Sequence, residues 1–503
     1  MNNGIVSLLR RIGPALTTEL IAEMAKDGIS ATAARQRIAR SRGEVTRLAG
    51  LRFTQNARFV YLPDQFGDQA YWAAIERVFR SHGASYWGAV VGMKARGGLY
   101  PRKFFASVCG CPNSRKRQLS PNRVFERLSA INLLEEIEDN STGDKLVKFR
   151  PHVYGADPLA TVRARLIAED VILHGMKEWC RRVGFGSFDL VRIRGDENPP
   201  VVSSITWDMS APSYARPLVR AVGAGLKPGF IVCDVNLRGA LDEDDVKLFV
   251  RKHDMASGPS EVAPIMPFLL ADGFTSAGFN FARQKGVLAT TVSHLFGEDV
   301  ATALRDLIGL LTDMGAKVSV DPEHIERVLT SLTRIEGAAN NLRGALFELV
   351  VGNLVKDVEG GCMQAGRKWT ENETQRSAEI DVLLDRPENR GVLVIECKSK
   401  IPGSRVNLEE VQKWRDDRVP LLHRILRDNL RYSDKPLTFE LWTNGPLGAD
   451  VLSWLNSLPV PDDYTVGWKD GEGMKVYAAK AQSPSIRKIL NEHYFRHPLA
   501  RLV

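Results

Sequence analysis

The hydrophobic positions of residues 1–65 follow helical spacing three times and then alternate as they do in strands. Apolar residues that recur every three to four positions predict amphipathic helices, and alternation predicts half-buried strands. Ser30 is a good N-cap for the third helix, whose inward face would carry Ala34 and Ile38. The predicted elements are three helices and two strands, at Ile5–Ile12, Thr17 or Thr18 to Met24, Ala31–Ser41, Leu48–Phe53 and Ala57–Leu62.

This order of three helices and a hairpin resembles a winged helix-turn-helix. On the third helix Arg35, Gln36 and Arg40 would face outward. Arginine and glutamine are residue types that contact bases and phosphates in the major groove of DNA. We therefore expect these three residues to bind DNA. The alternative is a solvated helix face in a module that binds proteins.

Residues 66–151 are expected to repeat the arrangement as a second winged-helix-like domain. Ser120-Pro121 suits the start of a helix, since proline is tolerated in a first turn. The predicted elements are two helices and two strands, the strands joined by a turn at residues 140–143, at Gln69–Ser81, Pro121–Leu128, Leu133–Glu138 and Lys145–Phe149. Between the helices lie Arg115, Lys116 and Arg117. We expect this basic cluster to contact DNA phosphates; the alternative is a solvated surface.

Residues 152–330 and 331–503 each predict an α/β domain with a mixed central sheet flanked by helices. The first of the two is expected to contain, in order, helix Pro158–Arg182, strands Ser203–Met209 and Phe230–Val235, helix Glu243–Asp254, strand Met266–Ala271 and helix Thr275–Lys285. The second is expected to contain helix Asn340–Lys356, strands around Cys362, Asp381 and Ile395, helix Leu408–Leu426 and strand Leu437–Thr443. The two orders match, which indicates two related domains.

The composition agrees with a multidomain globular chain. Its 503 residues are 44% hydrophobic, enough for several cores, and about four domains fit the usual domain sizes. No apolar run reaches the roughly 18 residues that span a bilayer. The first residues lack the pattern of a secretory leader. We expect a cytoplasmic protein without membrane contact, in which the six cysteines do not build a disulfide framework.

The positive charge is concentrated at the start of the chain. Residues 1–150 contain 24 Lys and Arg against 13 Asp and Glu, whereas the remaining residues contain 44 against 47. A basic module joined to a near-neutral body indicates a polyanionic partner. Together with the helix-turn-helix pattern, this charge points to double-stranded DNA.

Two strand-like runs near the C-terminal third carry the most specific chemistry. One ends in Glu396-Cys397-Lys398 and the other contains Asp381. Because strand side chains alternate between faces, Glu396 and Lys398 project the same way. If the strands pair, Asp381 lies beside Glu396. Two carboxylates and an ammonium at one point suit a divalent cation and a phosphate, which is the chemistry of phosphodiester hydrolysis.

With Glu348 in the preceding helix, these residues resemble the PD-(D/E)XK nuclease superfamily, the restriction-endonuclease-like enzymes, over about residues 335–445. The resemblance implies a Mg²⁺ site, for which Mn²⁺ can substitute. Asp381, Glu396 and the backbone carbonyl of Cys397 would be its ligands. Glu348 would bind a second metal or an outer-sphere water, and Lys398 would orient the attacking water.

The resemblance extends to the helix that follows, with one departure from the family pattern. Gln412 and Lys413 fall where many members carry an extra polar site residue, so Gln412 is included among the catalytic candidates. The residue before Asp381 is Ile380, where the family motif has proline.

The middle domain is similar to the same family but lacks the lysine. Glu169, Asp208 and Asp234 fall at corresponding positions, and Asn236 stands where lysine is expected. Asparagine supplies no positive charge. Three readings follow: a degenerate copy used for packing or DNA grip, a second active site with a migrated lysine such as Lys247, or an unrelated α/β domain.

These features favour a metal-dependent DNA endonuclease, with a role in bacterial defence or restriction. By resemblance, a homodimer would let each site cut one strand. There is no Gly-x-x-x-x-Gly-Lys loop, so ATP-driven movement would need accessory subunits. The alternatives are a DNA-binding regulator or assembly factor that keeps nuclease-like scaffolds, and cleavage of RNA by the same site chemistry.

Overall fold

A computed structural model describes residues 3–41, 43–51, 53–139, 143–187, 189–222, 225–259, 261–313, 322–332, 339–387, 390–400 and 404–495. The fold is mixed α/β with several separate sheets. Contacts divide the chain into two compact units. The first contains residues 1–138, 144–162 and 180–291, and the second contains residues 139–143, 163–179 and 292–503.

The first unit opens with three helices and a small antiparallel sheet of order β1-β3-β2. Its elements are α1 (Asn3–Ile12), β1 (Ala15–Leu16), α2 (Thr17–Lys26), α3 (Ala31–Arg40), β2 (Thr46–Arg47) and β3 (Phe59–Tyr61). Ser30 caps α3 as predicted, since its hydroxyl accepts a hydrogen bond from the Ala33 backbone N–H at 3.3 Å. The predicted strand Leu48–Phe53 is wrong over its described residues, because β2 ends at Arg47 and residues 48–51 and 53 belong to no strand; residue 52 lies outside the described residues.

A second set of helices and strands repeats this arrangement, with a sheet of order β4-β6-β5. Its elements are α4 (Gln69–His82), α5 (Ala84–Ala95), β4 (Leu99–Pro101), α6 (Phe105–Cys109), α7 (Pro121–Ala130), β5 (Leu134–Glu138) and β6 (Lys145–Phe149). The two predicted helices and both strands are present, and Ser120 caps α7. Helix α5 and strand β4 were not predicted. The turn residues 140–142 lie outside the described residues.

A five-stranded mixed sheet of order β15-β14-β13-β10-β7 completes the first unit. The elements that follow β6 in the chain are α8 (Leu159–Arg182), whose residues 163–179 belong to the second unit, and then β7 (Arg192–Ile193), β8 (Val201–Val202), β9 (Ile205–Thr206), β10 (Met209–Ser213), β11 (Arg220–Val222), β12 (Gly225–Lys227), β13 (Gly229–Leu241), α9 (Glu243–Ser257), β14 (Ile265–Phe274), α10 (Ser276–Gln284) and β15 (Leu288–Thr291). The predicted strand Ser203–Met209 is wrong, because the chain forms β9 and then β10 on either side of Asp208.

The second unit contains the other five-stranded sheet, of order β16-β17-β18-β19-β20. Besides part of α8, its elements are α11 (Val292–Phe296), α12 (Glu298–Asp313), α13 (Pro322–Leu332), α14 (Ala339–Glu359), β16 (Cys362–Thr370), β17 (Ser377–Asp385), β18 (Val392–Lys398), α15 (Leu408–Gln412), α16 (Val419–Arg427), β19 (Leu437–Thr443), α17 (Ala449–Ser457), β20 (Thr465–Lys469), α18 (Gly471–Ala478) and α19 (Pro484–Ile489). A π-helical turn, Lys413–Arg418, joins α15 to α16.

The two large sheets have the same topology. In each, the first two pairings are antiparallel (β7 with β10 and β10 with β13; β16 with β17 and β17 with β18), and the next two are parallel. A helical segment precedes each sheet and helices connect its parallel strands. The sequence prediction of two matching α/β orders therefore agrees with the sheets that form.

Apolar strands and helices bury the core that holds the second sheet rigid. Leu383, Val394 and Phe439 contribute from three neighbouring strands, and Trp414 and Leu426 contribute from the helices after β18. Burying each large apolar side chain stabilises the fold by about 1.5–3 kcal/mol.

None of the helices in the described ranges is both long and apolar enough to cross a bilayer.

Candidate active site

Asp381 and Glu396 meet at the point where β17 and β18 stop pairing. The last registered pair is Val382 with Ile395, and because the strands are antiparallel, Asp381 lies opposite Glu396 one residue further on. The Asp381 carboxylate accepts a hydrogen bond from the backbone N–H of Cys397 at 2.8 Å. Both acids are buried, with 8% of Asp381 and 4% of Glu396 exposed.

Two cations hold the Glu396 carboxylate. Lys398 Nζ donates a hydrogen bond to Glu396 Oε1 at 2.8 Å, and the Arg418 guanidinium contacts the same oxygen. The side chains of Lys398 and Arg418 are 29% and 27% exposed, so both can be reached from solvent. Burying a carboxylate is costly without such partners.

Arg418 reaches the site because of an irregular helix turn. It is the last residue of the π-helical turn Lys413–Arg418, and Pro420 stands two residues beyond it. Proline has no N–H to continue the α-helical ladder, and π-turns inside helices are frequent at functional sites. The predictions missed Arg418, although the proline after it was a local signal of an irregular turn.

Glu348 of α14 adds a third carboxylate to the cluster. Burial raises the pKa of Glu348 well above its usual value, and the nearby charges of Asp381, Glu379 and Glu396 raise it further. Burial also raises the pKa of Asp381 to about 8, with the charge of Glu396 next in importance. These carboxylates lie close enough to repel one another, so the cluster is short of positive charge.

The same carboxylates favour the charged forms of the two nearby cations. Burial alone lowers the pKa of the Lys398 ammonium, but the charges of Glu396 and Asp381 outweigh it and raise this pKa overall. The pKa of Arg418 is raised by the same two acids against the effect of burial. Both side chains therefore stay charged at neutral pH.

Cys397 contributes through its backbone. Its N–H orients Asp381, and its residue position is in register with Trp442 of β19. Burial raises the pKa of the Cys397 thiol well above its usual value. The sulfur therefore stays protonated and is a poor metal ligand.

Gln412 is half-buried at the end of α15, and no hydrogen bond joins it to Asp381, Glu396 or Lys398 among the described side chains. Lys413 is exposed. The polar contact that the helix makes to Glu396 comes from Arg418 instead.

The described residues include no group of three or more His, Cys, Asp and Glu side chains already arranged around a single metal position. The chemistry of the donors nevertheless suits a divalent cation. Glu348, Asp381 and Glu396 supply the carboxylate oxygens that magnesium prefers. Metal binding would require Glu396 to exchange at least part of its contact with Lys398 and Arg418.

The middle sheet repeats the geometry of the acid pair. Met209 pairs with Cys233, which places Asp208 opposite Asp234 one residue further on. Asp208 accepts a hydrogen bond from the backbone N–H of Val235, the residue after Asp234, at 3.1 Å. Asp381 has the same relation to Cys397, the residue after Glu396.

Protein cations fill this second acid pair completely. Arg96 donates to Asp208 at 2.9 Å and Arg194 lies 3.4 Å from its other oxygen, with 9% or less of each of these side chains exposed. Lys252, only 1% exposed, contacts Asp234. Burial by itself raises the pKa of Asp208, but Arg194 and Arg96 lower it to about 2.

Three buried cations against two carboxylates leave no negative charge for a metal ion. The residues of the middle sheet therefore do not fit a metal site. Asn236 stands two residues after Asp234, as Lys398 stands two residues after Glu396, and its side-chain amide donates to the Ala95 carbonyl at 3.1 Å. The lysine that contacts Asp234 is Lys252, whereas Lys247 pairs with Glu243 at 2.9 Å. Glu169 is buried in the stretch of α8 that belongs to the second unit.

The residues predicted to bind DNA lie on the surface of the first unit, outside both acid pairs. Arg35, Gln36 and Arg40 are exposed on α3, as are Lys116 and Arg117 in the loop before α7. Their neighbour Arg115 is half-buried, and it donates to the Ser203 hydroxyl at 3.1 Å.

No protein-family model matches the chain, and no curated protein matches it in sequence. Among solved structures, the MspJI restriction endonuclease in complex with a 27-mer oligonucleotide matches with 13% identity and a TM-score of 0.17. The match covers 39% of this chain and 47% of that enzyme, so the chain spans about half its length. A likeness at this TM-score carries no argument about fold or function.

Proposed function

We propose that the chain is a metal-dependent DNA endonuclease whose phosphodiester hydrolysis takes place at Asp381, Glu396 and Lys398. The observation that carries the proposal is the pairing of Asp381 with Glu396 at the end of two buried strands. Lys398 and Arg418 are on the second acid and the Glu348 carboxylate lies nearby. Charged groups collect at buried strand ends at a cost, and a functional site is the usual reason.

Magnesium is the proposed cofactor, and manganese would substitute for it. Asp381 and Glu396, with the Cys397 carbonyl and Glu348, would hold the ion. Burial and mutual repulsion together raise the pKa values of Glu348 and Asp381, and a divalent cation would relieve the repulsion. When bound, the ion supplies a nucleophile near neutral pH and neutralises charge on the phosphate.

The protein's own groups have separate tasks in this proposal. The Cys397 N–H fixes the Asp381 carboxylate in one orientation. Lys398 is proposed to orient the attacking water, and Arg418 to stabilise negative charge on the phosphate once substrate has drawn it from Glu396. Rigid strands support these positions, and errors of about 1 Å cost orders of magnitude in rate.

The first unit is proposed to hold duplex DNA. Support comes from the excess of positive charge in residues 1–150 and from the exposed arginines of α3. The arrangement of helices and strands in residues 1–65 and 66–151 is the one that we attribute to winged helix-turn-helix domains. A homodimer, accessory subunits and a role in defence against foreign DNA belong to the same proposal.

Supercoiled plasmid tests the proposal directly. We expect the purified chain to nick the plasmid with Mg²⁺ or Mn²⁺ and to leave it intact in EDTA. Lys398→Ala should remove the activity while the protein still binds duplex DNA. Binding without nicking under any metal would favour the DNA-binding regulator instead, and equal nicking by Lys398→Ala would assign the activity to another site.

A further inference from the structure

A cavity of about 510 Å³ opens between α9, α10 and the loop that precedes α7. Among the described residues that line it, four are basic and one is acidic, and one aromatic ring forms part of the wall. These residues are Arg115, Lys247, Arg251, Lys285, Asp254 and Phe281. Cavities of this size accept a nucleotide-sized group.

Helix α9 separates this cavity from the filled acid pair. Lys247, Arg251 and Asp254 are spaced four and three residues apart, so they share one face of the helix. Lys252 points away from that face and contacts Asp234. One face of α9 therefore contacts the filled acid pair, and another face presents positive charge to the cavity.

The cations differ in how firmly they are held. Arg115 donates to Ser203 and Arg251 donates to the Gly110 carbonyl at 3.1 Å, which fixes both guanidinium groups. Lys247 pairs with Glu243 at 2.9 Å. Lys285 is exposed and forms no ion pair with any described residue, so its charge is available to a ligand.

Two of these charges lie near the aromatic ring. The ammonium groups of Lys247 and Lys285 each lie 5.8 Å from the centre of the Phe281 ring. The exposed residues Lys116 and Arg117 follow Arg115 along the chain, and they extend the positive surface beyond the cavity. A ring among cations suits a nucleic-acid backbone, because phosphates bind the charges and a sugar packs on the ring.

We propose that this cavity binds the phosphodiester backbone of duplex DNA through residues that are not those of the hydrolytic site. The inference deepens the proposed function and rests on it for the identity of the ligand. It gives the middle domain a role as a DNA grip, since its acid pair is filled by protein cations.

The test is duplex binding by the full chain in EDTA, across a series of salt concentrations. Metal-free conditions prevent hydrolysis, so this binding assay and the plasmid assay can fail independently. Lys285→Glu and the double variant Lys285→Glu/Lys247→Gln are compared with Arg283→Glu. Arg283 is exposed on α10, two residues before Lys285, and does not line the cavity, so its variant controls for a general change of charge.

We expect Lys285→Glu to weaken binding and to reduce the slope of log affinity against log salt by about one. The double variant should reduce the affinity and the salt slope further, whereas Arg283→Glu should change the two quantities much less. Unchanged affinity and slope in the double variant would overturn the proposal, as would equal effects from Arg283→Glu. Lys285-dependent binding of free adenosine monophosphate with no effect on duplex binding would also overturn it.

Discussion

Asp208 and Asp381 hold the same position in two sheets of identical topology, and buried arginines neutralise only Asp208. Each aspartate lies opposite an acid on the next strand and accepts a hydrogen bond from the backbone N–H one residue after that acid. Arg96 and Arg194 lie on Asp208, whereas Asp381 has a raised pKa of about 8 because burial and Glu396 oppose its ionisation. Protein cations contact both acids of the first pair, whereas in the second pair their ion pairs are with Glu396.

Arg96→Met tests the filled site through stability. The side chain of Arg96 is 9% exposed, and removing one partner of a buried ion pair costs about 3–5 kcal/mol because a charge is left buried. We expect a loss near the lower bound in urea unfolding, since Arg194 still lies on Asp208. In a double-mutant cycle with Asp208→Asn the two losses should not add.

Arg80→Met is the matched control for that experiment. Arg80 pairs with Asp244 at the surface, where its side chain is 51% exposed, and such pairs contribute about 0–1 kcal/mol. Equal losses from Arg96→Met and Arg80→Met would contradict the assignment of Arg96 to a buried, coupled pair.

Low pH should lower the stability of the first unit, because Asp208 becomes protonated. Its pKa in the folded protein is lowered to about 2, below the roughly 3.9 of an unfolded aspartate. The stabilisation is therefore fully present above about pH 4 and is lost as the pH falls towards 2. Urea midpoints of the native chain should fall over this range more steeply than those of Asp208→Asn. If the urea midpoints of the two proteins fell equally with pH, Asp208 would not be stabilised as an anion.

Arg35→Ala and Arg40→Ala should each weaken duplex binding. Both residues are exposed on α3, and each lost phosphate contact reduces the slope of log affinity against log salt by about one. Fluorescence anisotropy with labelled duplex in EDTA measures both quantities. Arg10→Ala is the control, since Arg10 is 67% exposed on α1 and pairs with Asp64. An equal effect from Arg10→Ala would show that general charge, and not α3, governs binding.

Arg418→Ala should lower the nicking rate by about 100-fold, the usual cost of removing one charge-stabilising donor. Arg418→Lys should recover part of the rate because the positive charge returns. The apparent affinity for Mn²⁺ should not fall in Arg418→Ala, since Glu396 loses a competing cation. A purely structural role would instead lower the metal affinity and the melting temperature together with the rate.

Arg415→Ala supplies the matched control within the same π-helical turn. Arg415 donates to the Tyr464 hydroxyl at 3.4 Å. We expect its loss to leave the nicking rate within a few fold of the native rate. An equal loss in Arg415→Ala would assign the effect of Arg418 to the stability of the turn.

Much of the fold follows from local pattern. Strand Leu437–Thr443 forms over the predicted residues, because apolar and polar residues alternate from Leu437 to Leu441 as they do in half-buried strands. Ser30 caps its helix because the hydroxyl and the backbone N–H groups are close in sequence. The facing of Asp381 and Glu396 was predictable because antiparallel pairing of two neighbouring strands determines which residues are opposite.

Other features depend on packing that the sequence does not display. Helix α5 is buried on nearly every side from Tyr86 to Met93, so it lacks the two-sided pattern by which helices are recognised. Arg96 and Arg418 became visible only in the folded chain. Arg96 lies 112 residues before its acid and Arg418 lies 22 residues after its own, and no local rule pairs residues so far apart.

The most direct test makes the same substitution at the two equivalent positions. Asp381→Asn and Asp208→Asn are compared for plasmid nicking with Mg²⁺, at a temperature where circular dichroism shows both variants folded. We predict that Asp381→Asn abolishes nicking, because the site loses the carboxylate that the Cys397 N–H orients, and that Asp208→Asn retains it. Full nicking by Asp381→Asn, or loss of nicking by a folded Asp208→Asn alone, would contradict the account.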